Sequence, residues 1–115
     1  MTRVLLAATL LLTSCGVNAP STVPGADVVV HVHESTQSVG RFDPQTVHIS
    51  AGQTVGWIND TEDSHTITFL STQRPPDTSH LTPGSTFKVT FDQPGTYRYF
   101  CKFHPGMQGE IDVGG

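Results

Sequence analysis

With only two cysteines among its 115 residues, the chain can form at most one disulfide, which excludes a small scaffold held by several. Basic residues are equally scarce: six Lys and Arg stand against ten Asp and Glu, for a formal charge of -4. An acidic chain with no basic cluster argues against a nucleic-acid partner. No apolar run is long enough to span a bilayer, since the one from Val4 to Leu12 falls far short of the required length. Helical periodicity and internal repeats are missing throughout, and no nucleophile is paired with a base, so hydrolase or oxidase chemistry finds no support. The length allows one domain.

The N-terminus reads differently from the rest. Arg3, the apolar stretch and the small residues before Cys15 follow the pattern of a secretory signal. Leu12-Thr13-Ser14-Cys15 resembles a bacterial lipobox, in which the cysteine is lipidated and becomes the mature N-terminus. The expected organisation is a signal peptide over 1–14, a lipid-anchored flexible tether over 15–26 broken by Pro20, Pro24 and Gly25, and a domain over 27–115. An ordinary signal cut a few residues later, discarding Cys15, is the alternative. Lipid on Cys15 would hold the domain at the periplasmic or extracytoplasmic face of a membrane. Cys101 would then be the only mature thiol, and an unpaired thiol in an oxidising compartment is a liability unless it is buried or bound to metal.

Seven short runs read as strands: Val28–His33, Thr46–Ile49, Thr54–Ile58, His65–Leu70, Thr86–Phe91, Thr96–Cys101 and Gly109–Val113. They are rich in β-branched and aromatic residues and are separated by turn formers, which predicts an all-β, Greek-key β-sandwich of about seven strands. Phe87, Val89 and Phe91 alternate toward a core face. Trp57, the only tryptophan, is expected between the two sheets. Pro44 is expected at an edge or bulge, and Ser71 to Gly84 reads as a long proline-containing connection.

One stretch carries the chemistry. Cys101, His104 and Met107 fall in a Cys-x-x-His-x-x-Met spacing at the end of a predicted strand. Thiolate, imidazole and thioether together are a soft set, which selects copper over calcium or magnesium. Zinc is the rival, but it gains little from a thioether. His65, just after the polar turn that follows the Trp57 strand, is the leading candidate for a fourth ligand. Two His, one Cys and a weak axial Met form the blue-copper electron-transfer arrangement. Four protein ligands leave no open position of the kind a catalytic metal needs, so the set points to a carrier and not an enzyme.

From about Asp27 to Val113 the chain resembles the cupredoxins, and the plastocyanin and amicyanin group most of all. The likeness rests on Asn59 to His65, similar to an Asn-containing turn leading to the first His ligand. It rests equally on Gly95 to Val113, similar to the Gly-x-Tyr strand, ligand loop and final strand. The short gap between His104 and Met107 is the amicyanin form. The resemblance implies the cupredoxin fold and one copper ion cycling between Cu(I) and Cu(II). It also implies that His65, Cys101 and His104 are strong ligands and Met107 the axial one. Asn59 and Thr66 would support them from behind. Thr66 departs from the family's Asn: its backbone donor to the cysteine sulfur survives, while the side-chain tie between the two ligand loops is put in doubt, and with it the tightness and potential of the site. Phe103, Pro105 and Gly106 would form the apolar rim where redox protein partners dock, with Pro75 and Pro76 a weaker extension.

The expected function is single-electron shuttling by a monomer on the outer face of a bacterial membrane; a carrier or buffer that delivers copper to another protein is the alternative. The remaining histidines read more blandly. His31 and His33 share one face of the first strand and are expected to line a solvated surface, with a second metal as the alternative. His48 and His80 are expected to be exposed. Asp60, Glu62 and Asp63 read as a solvated acidic turn, or as a patch that steers a basic partner.

Overall fold

The computed structural model describes residues 22–34, 40–70 and 75–115. The lipidation expected at Cys15, the signal over 1–14 and most of the tether lie outside these residues. Among the described residues there are nine strands: β1 (Val28–Glu34), β2 (Gly40–Asp43), β3 (Thr46–Ser50), β4 (Gln53–Asn59), β5 (His65–Phe69), β6 (Thr78–Leu81), β7 (Thr86–Phe91), β8 (Gly95–Phe100) and β9 (Gln108–Gly114). No helix forms among the described residues. The strands build a sandwich of two mixed sheets, one in the order β2-β1-β4-β7 and the other β3-β9-β8-β5-β6.

Two strands exceed the sequence-based count. Ahead of the predicted Thr46–Ile49 strand a separate strand forms before Pro44, with β2 in the first sheet and β3 in the second. Proline has no N–H to extend a ladder, so the chain changes sheets there. The short strand β6 lies inside the proline-containing connection. Only Leu81 of its four residues is buried, which leaves almost no alternation to detect.

The core forms where the inward residues of both sheets meet. Trp57 of β4 is fully buried and packs edge-on against Phe69 (5-stranded sheet) at 6.3 Å and Tyr99 at 5.5 Å between ring centroids. It therefore bridges the sheets as its place in the sequence predicts. Val89 and Phe91 of β7 point inward with Phe87 partly covered, matching the expected period of two.

Strand register places the chemistry. β5 and β8 are antiparallel, with Thr68 opposite Phe100 and Phe69 opposite Tyr99. Carrying that register two residues on sets Thr66 across from Lys102, so the start of β5 and the end of β8 share one edge of the sandwich. β8 and β9 are paired from Gly95↔Val113 to Phe100↔Gln108. The segment from Cys101 to Met107 is thus the loop of a hairpin, closed by Cys101 N–H donating to Met107 O at 3.0 Å.

Candidate metal centre

The four predicted ligands converge at that edge. His65 and Cys101 are buried to 1% and 2% exposure, and His65 Nδ1 lies 3.7 Å from Cys101 Sγ. His104 Nδ1 approaches the same sulfur at 3.5 Å, and the two imidazole rings sit 4.7 Å apart between centroids. Within the loop, Met107 N–H donates to His104 O at 3.1 Å, and Gly106 takes a φ of 86° that favours glycine. That turn swings Met107 inward, where it is 3% exposed. A Cβ added to Gly40 would lie 2.9 Å from Met107 Sδ and 2.6 Å from His65 Cε1. The thioether therefore sits beside the His65 ring, and only glycine at position 40 leaves room for both.

The turn before His65 is held by a saturated network. Asn59 is fully buried. Its Nδ2 donates to Asp63 O and to Leu81 O, both at 2.7 Å. Its Oδ1 accepts from Thr61 N–H at 2.9 Å and from the Thr61 hydroxyl at 2.7 Å. With its own proton directed at Asn59, Thr61 Oγ1 accepts from His65 Nε2, 2.8 Å away. With Asn59 Oδ1 and, at 3.0 Å, Asp63 O both placed to take the hydroxyl proton, the contact favours the tautomer with hydrogen on Nε2 and the Nδ1 lone pair toward Cys101. Such hydrogen bonds behind a ligand orient it and tune the metal. Burial, and next the nearby His104, push the His65 imidazole below its ordinary pKa of 6.5, with Asp63 and Glu34 opposing. The neutral form, the one that binds metal, is favoured.

Thr66 works on both loops. Its N–H donates to Cys101 Sγ at 3.4 Å, as expected of the backbone. Its hydroxyl oxygen also accepts from Lys102 N–H at 2.9 Å, so a side-chain tie between the two loops is present. The cross-strand register brings Lys102 close enough for the shorter threonine side chain to reach.

Sequence reasoning missed Thr61 and Gly40. Thr61 left a faint signal, because Asn followed two residues on by Thr suits a side-chain-closed turn. Gly40 left none. Its role follows only from the packing of two residues distant in sequence.

Phe103, Pro105 and Gly106 are exposed around half-buried His104, and Phe103 stacks obliquely on His80 at 5.4 Å. Pro76 is exposed and Pro75 half-buried. His48 is exposed, as expected, and faces Asp112 at 3.4 Å. His31 and His33 lie on the partly exposed outer face of β1 and Asp60 in an exposed turn, and these side chains pair there, with His31 Nδ1 2.6 Å from Asp60 Oδ2.

The donor chemistry fits copper. One thiol, two imidazoles with ring nitrogens turned inward and a thioether share a buried space, and a soft sulfur-rich set of this kind prefers copper. Sandwich and donor set together define a cupredoxin. Residues 28–114 match the profile of the copper binding proteins of the plastocyanin/azurin family, and the chain belongs to that family. It is 39% identical over 83 residues to plastocyanin of Scenedesmus fuscus, which spans 63% of this chain and 85% of that protein. To amicyanin of Paracoccus versutus it is 31% identical over 98 residues, covering 83% and 70% respectively. Among solved structures, a reduced mutant of amicyanin matches with a TM-score of 0.70 at 25% identity, over 84% of this chain and 89% of that one. The novel purple cupredoxin from Nitrosopumilus maritimus matches with 0.68 at 26% identity, over 76% and 100%.

Proposed function

We propose that this protein is a mononuclear blue-copper electron carrier whose ion is held by His65 Nδ1, Cys101 Sγ, His104 Nδ1 and Met107 Sδ. The observation that carries the reading is the approach of both Nδ1 atoms to one buried sulfur, at 3.7 and 3.5 Å. Copper, when bound, supplies a one-electron couple between Cu(I) and Cu(II). The chain holds the donors in place. Asn59 and Thr61 fix the His65 ring, Thr66 ties the two loops, and the packing of Met107 against the Gly40 backbone keeps water out. A donor set so held changes little when an electron moves, which favours rapid exchange. Four protein donors leave no position for a substrate, in keeping with a carrier and not an enzyme.

His104 is the route outward, because it alone of the four donors is half-exposed. Redox protein partners dock on the rim of Phe103, Pro105 and Gly106 beside it. Lipid on Cys15 tethers the domain to the outer face of a bacterial membrane, and mass spectrometry of the N-terminal peptide checks this directly. Voltammetry of the copper-loaded protein in the presence of a competing chelator tests electron transfer against copper delivery. A reversible one-electron wave with copper retained supports the electron carrier; rapid loss of copper to the chelator without such a wave overturns it.

A further inference from the structure

A second cluster stands on the outer face of the first sheet. His31 and His33 of β1 point away from the core while Val30 and Val32 point into it. Their rings are stacked, with planes 4° apart and centroids 5.5 Å apart. Asp60 Oδ2 lies 2.6 Å from His31 Nδ1 and 3.6 Å from His33 Nδ1. We propose that His31, His33 and Asp60 form a second metal site, for a divalent first-row ion that favours imidazole, Zn2+ or Cu2+.

Three observations carry this. The first is convergence: one ligand atom from each residue lies within 4.8 Å of the other two. A single oxygen, Asp60 Oδ2, faces the same nitrogen of both rings, so the three donors point at one place. The second is the far side of His33, where Nε2 is 3.6 Å from Asp43 Oδ2. At ion-pair range, beyond hydrogen-bond reach, this carboxylate stands on the Nε2 side of the ring, and Nδ1 is the nitrogen that faces Asp60. The third is preorganisation. β1 runs parallel to β4 with Val32 beside Asn59, and Asp60 N–H donates to Val32 O at 3.0 Å. The backbone thus holds Asp60 next to the strand that bears both histidines, which lowers the ordering cost of binding. Two imidazoles and a carboxylate suit Zn2+ or Cu2+, and with no sulfur the set does not favour Cu(I). Three donors leave a position open, and the histidine side chains are 32% and 37% exposed, so the ion exchanges with solvent.

The test uses the full chain loaded with Cu(I), so that the first site is filled, dialysed against Zn2+ and assayed for both metals. One zinc per chain is expected, with shifts of the His31 and His33 ring signals in NMR and none at His48 or His80. His31→Ala and His33→Ala should each weaken zinc binding about tenfold or more, while their Cu(II) forms keep the visible band that reports an intact fold. Absence of zinc, or zinc retained equally by both variants, would overturn the proposal.

Discussion

The two histidine clusters of this domain use the same side chain in opposite settings. Around Cys101 the imidazole of His65 is 1% exposed, backed by a threonine hydroxyl that is itself held by a buried asparagine. On the outer sheet face, His31 meets a carboxylate at 2.6 Å with its side chain 32% exposed. Buried, a ligand's orientation and protonation are set by the fold, because an unpaired polar group there is costly. Near solvent, the same contact competes with water and contributes little to stability. Binding chemistry divides the same way. The sulfur-bearing, closed cluster suits an ion that stays and changes charge; the open one suits an ion that comes and goes.

Substitutions can break this contrast. Gly40→Ala should have the largest effect, about 2–3 kcal/mol from forcing a methyl group between the His65 ring and the Met107 thioether, read by chemical denaturation with loss of tight copper binding. Thr61→Val should cost about 1–2 kcal/mol, since it strands His65 Nε2 and half of Asn59 Oδ1, and should weaken copper binding about 10–100-fold. Thr61→Ser, which restores the hydroxyl, should recover most of both.

Acidity probes the same contact. Because the folded-state pKa of His65 lies below its ordinary 6.5, the unfolded chain takes up a proton before the folded chain does. Stability of the metal-free protein should therefore fall as pH drops below 6.5, until the folded-state pKa is reached. His65→Gln should flatten that slope in thermal melts across this range. The smallest effect is expected in the outer cluster, where His31→Ala should change stability by under about 1 kcal/mol; a larger loss would show that exposure does not separate the two clusters.

How much of this was legible in the sequence depended on whether the signal was local. Cys101, His104 and Met107 lie within one hairpin loop, so their spacing shows without the fold. His65 was legible because a polar turn and a strand start mark it, and β5 then brings it beside Cys101 through its register with β8. β2 and β6 were not legible, being four residues each, with Pro44 directly after the first and Pro76 and Pro83 to either side of the second. Gly40 was invisible, since its function is the space it leaves for residues far along the chain. Thr66 left its own question open. A difference from the family's residue put the tie in doubt, and the hydroxyl reaches Lys102 N–H, which only the cross-strand distance reveals. His31, His33 and Asp60 alternate or turn outward as surface residues do, and nothing local indicates that one carboxylate oxygen meets both rings.

The visible absorption of the Cu(II)-loaded protein, measured beside Cys101→Ser, tests the first site most directly. An intense thiolate-to-copper band that vanishes in the variant is predicted. A colourless Cu(II) complex, or a band that survives without the Cys101 sulfur, would contradict a copper ion held by that thiolate.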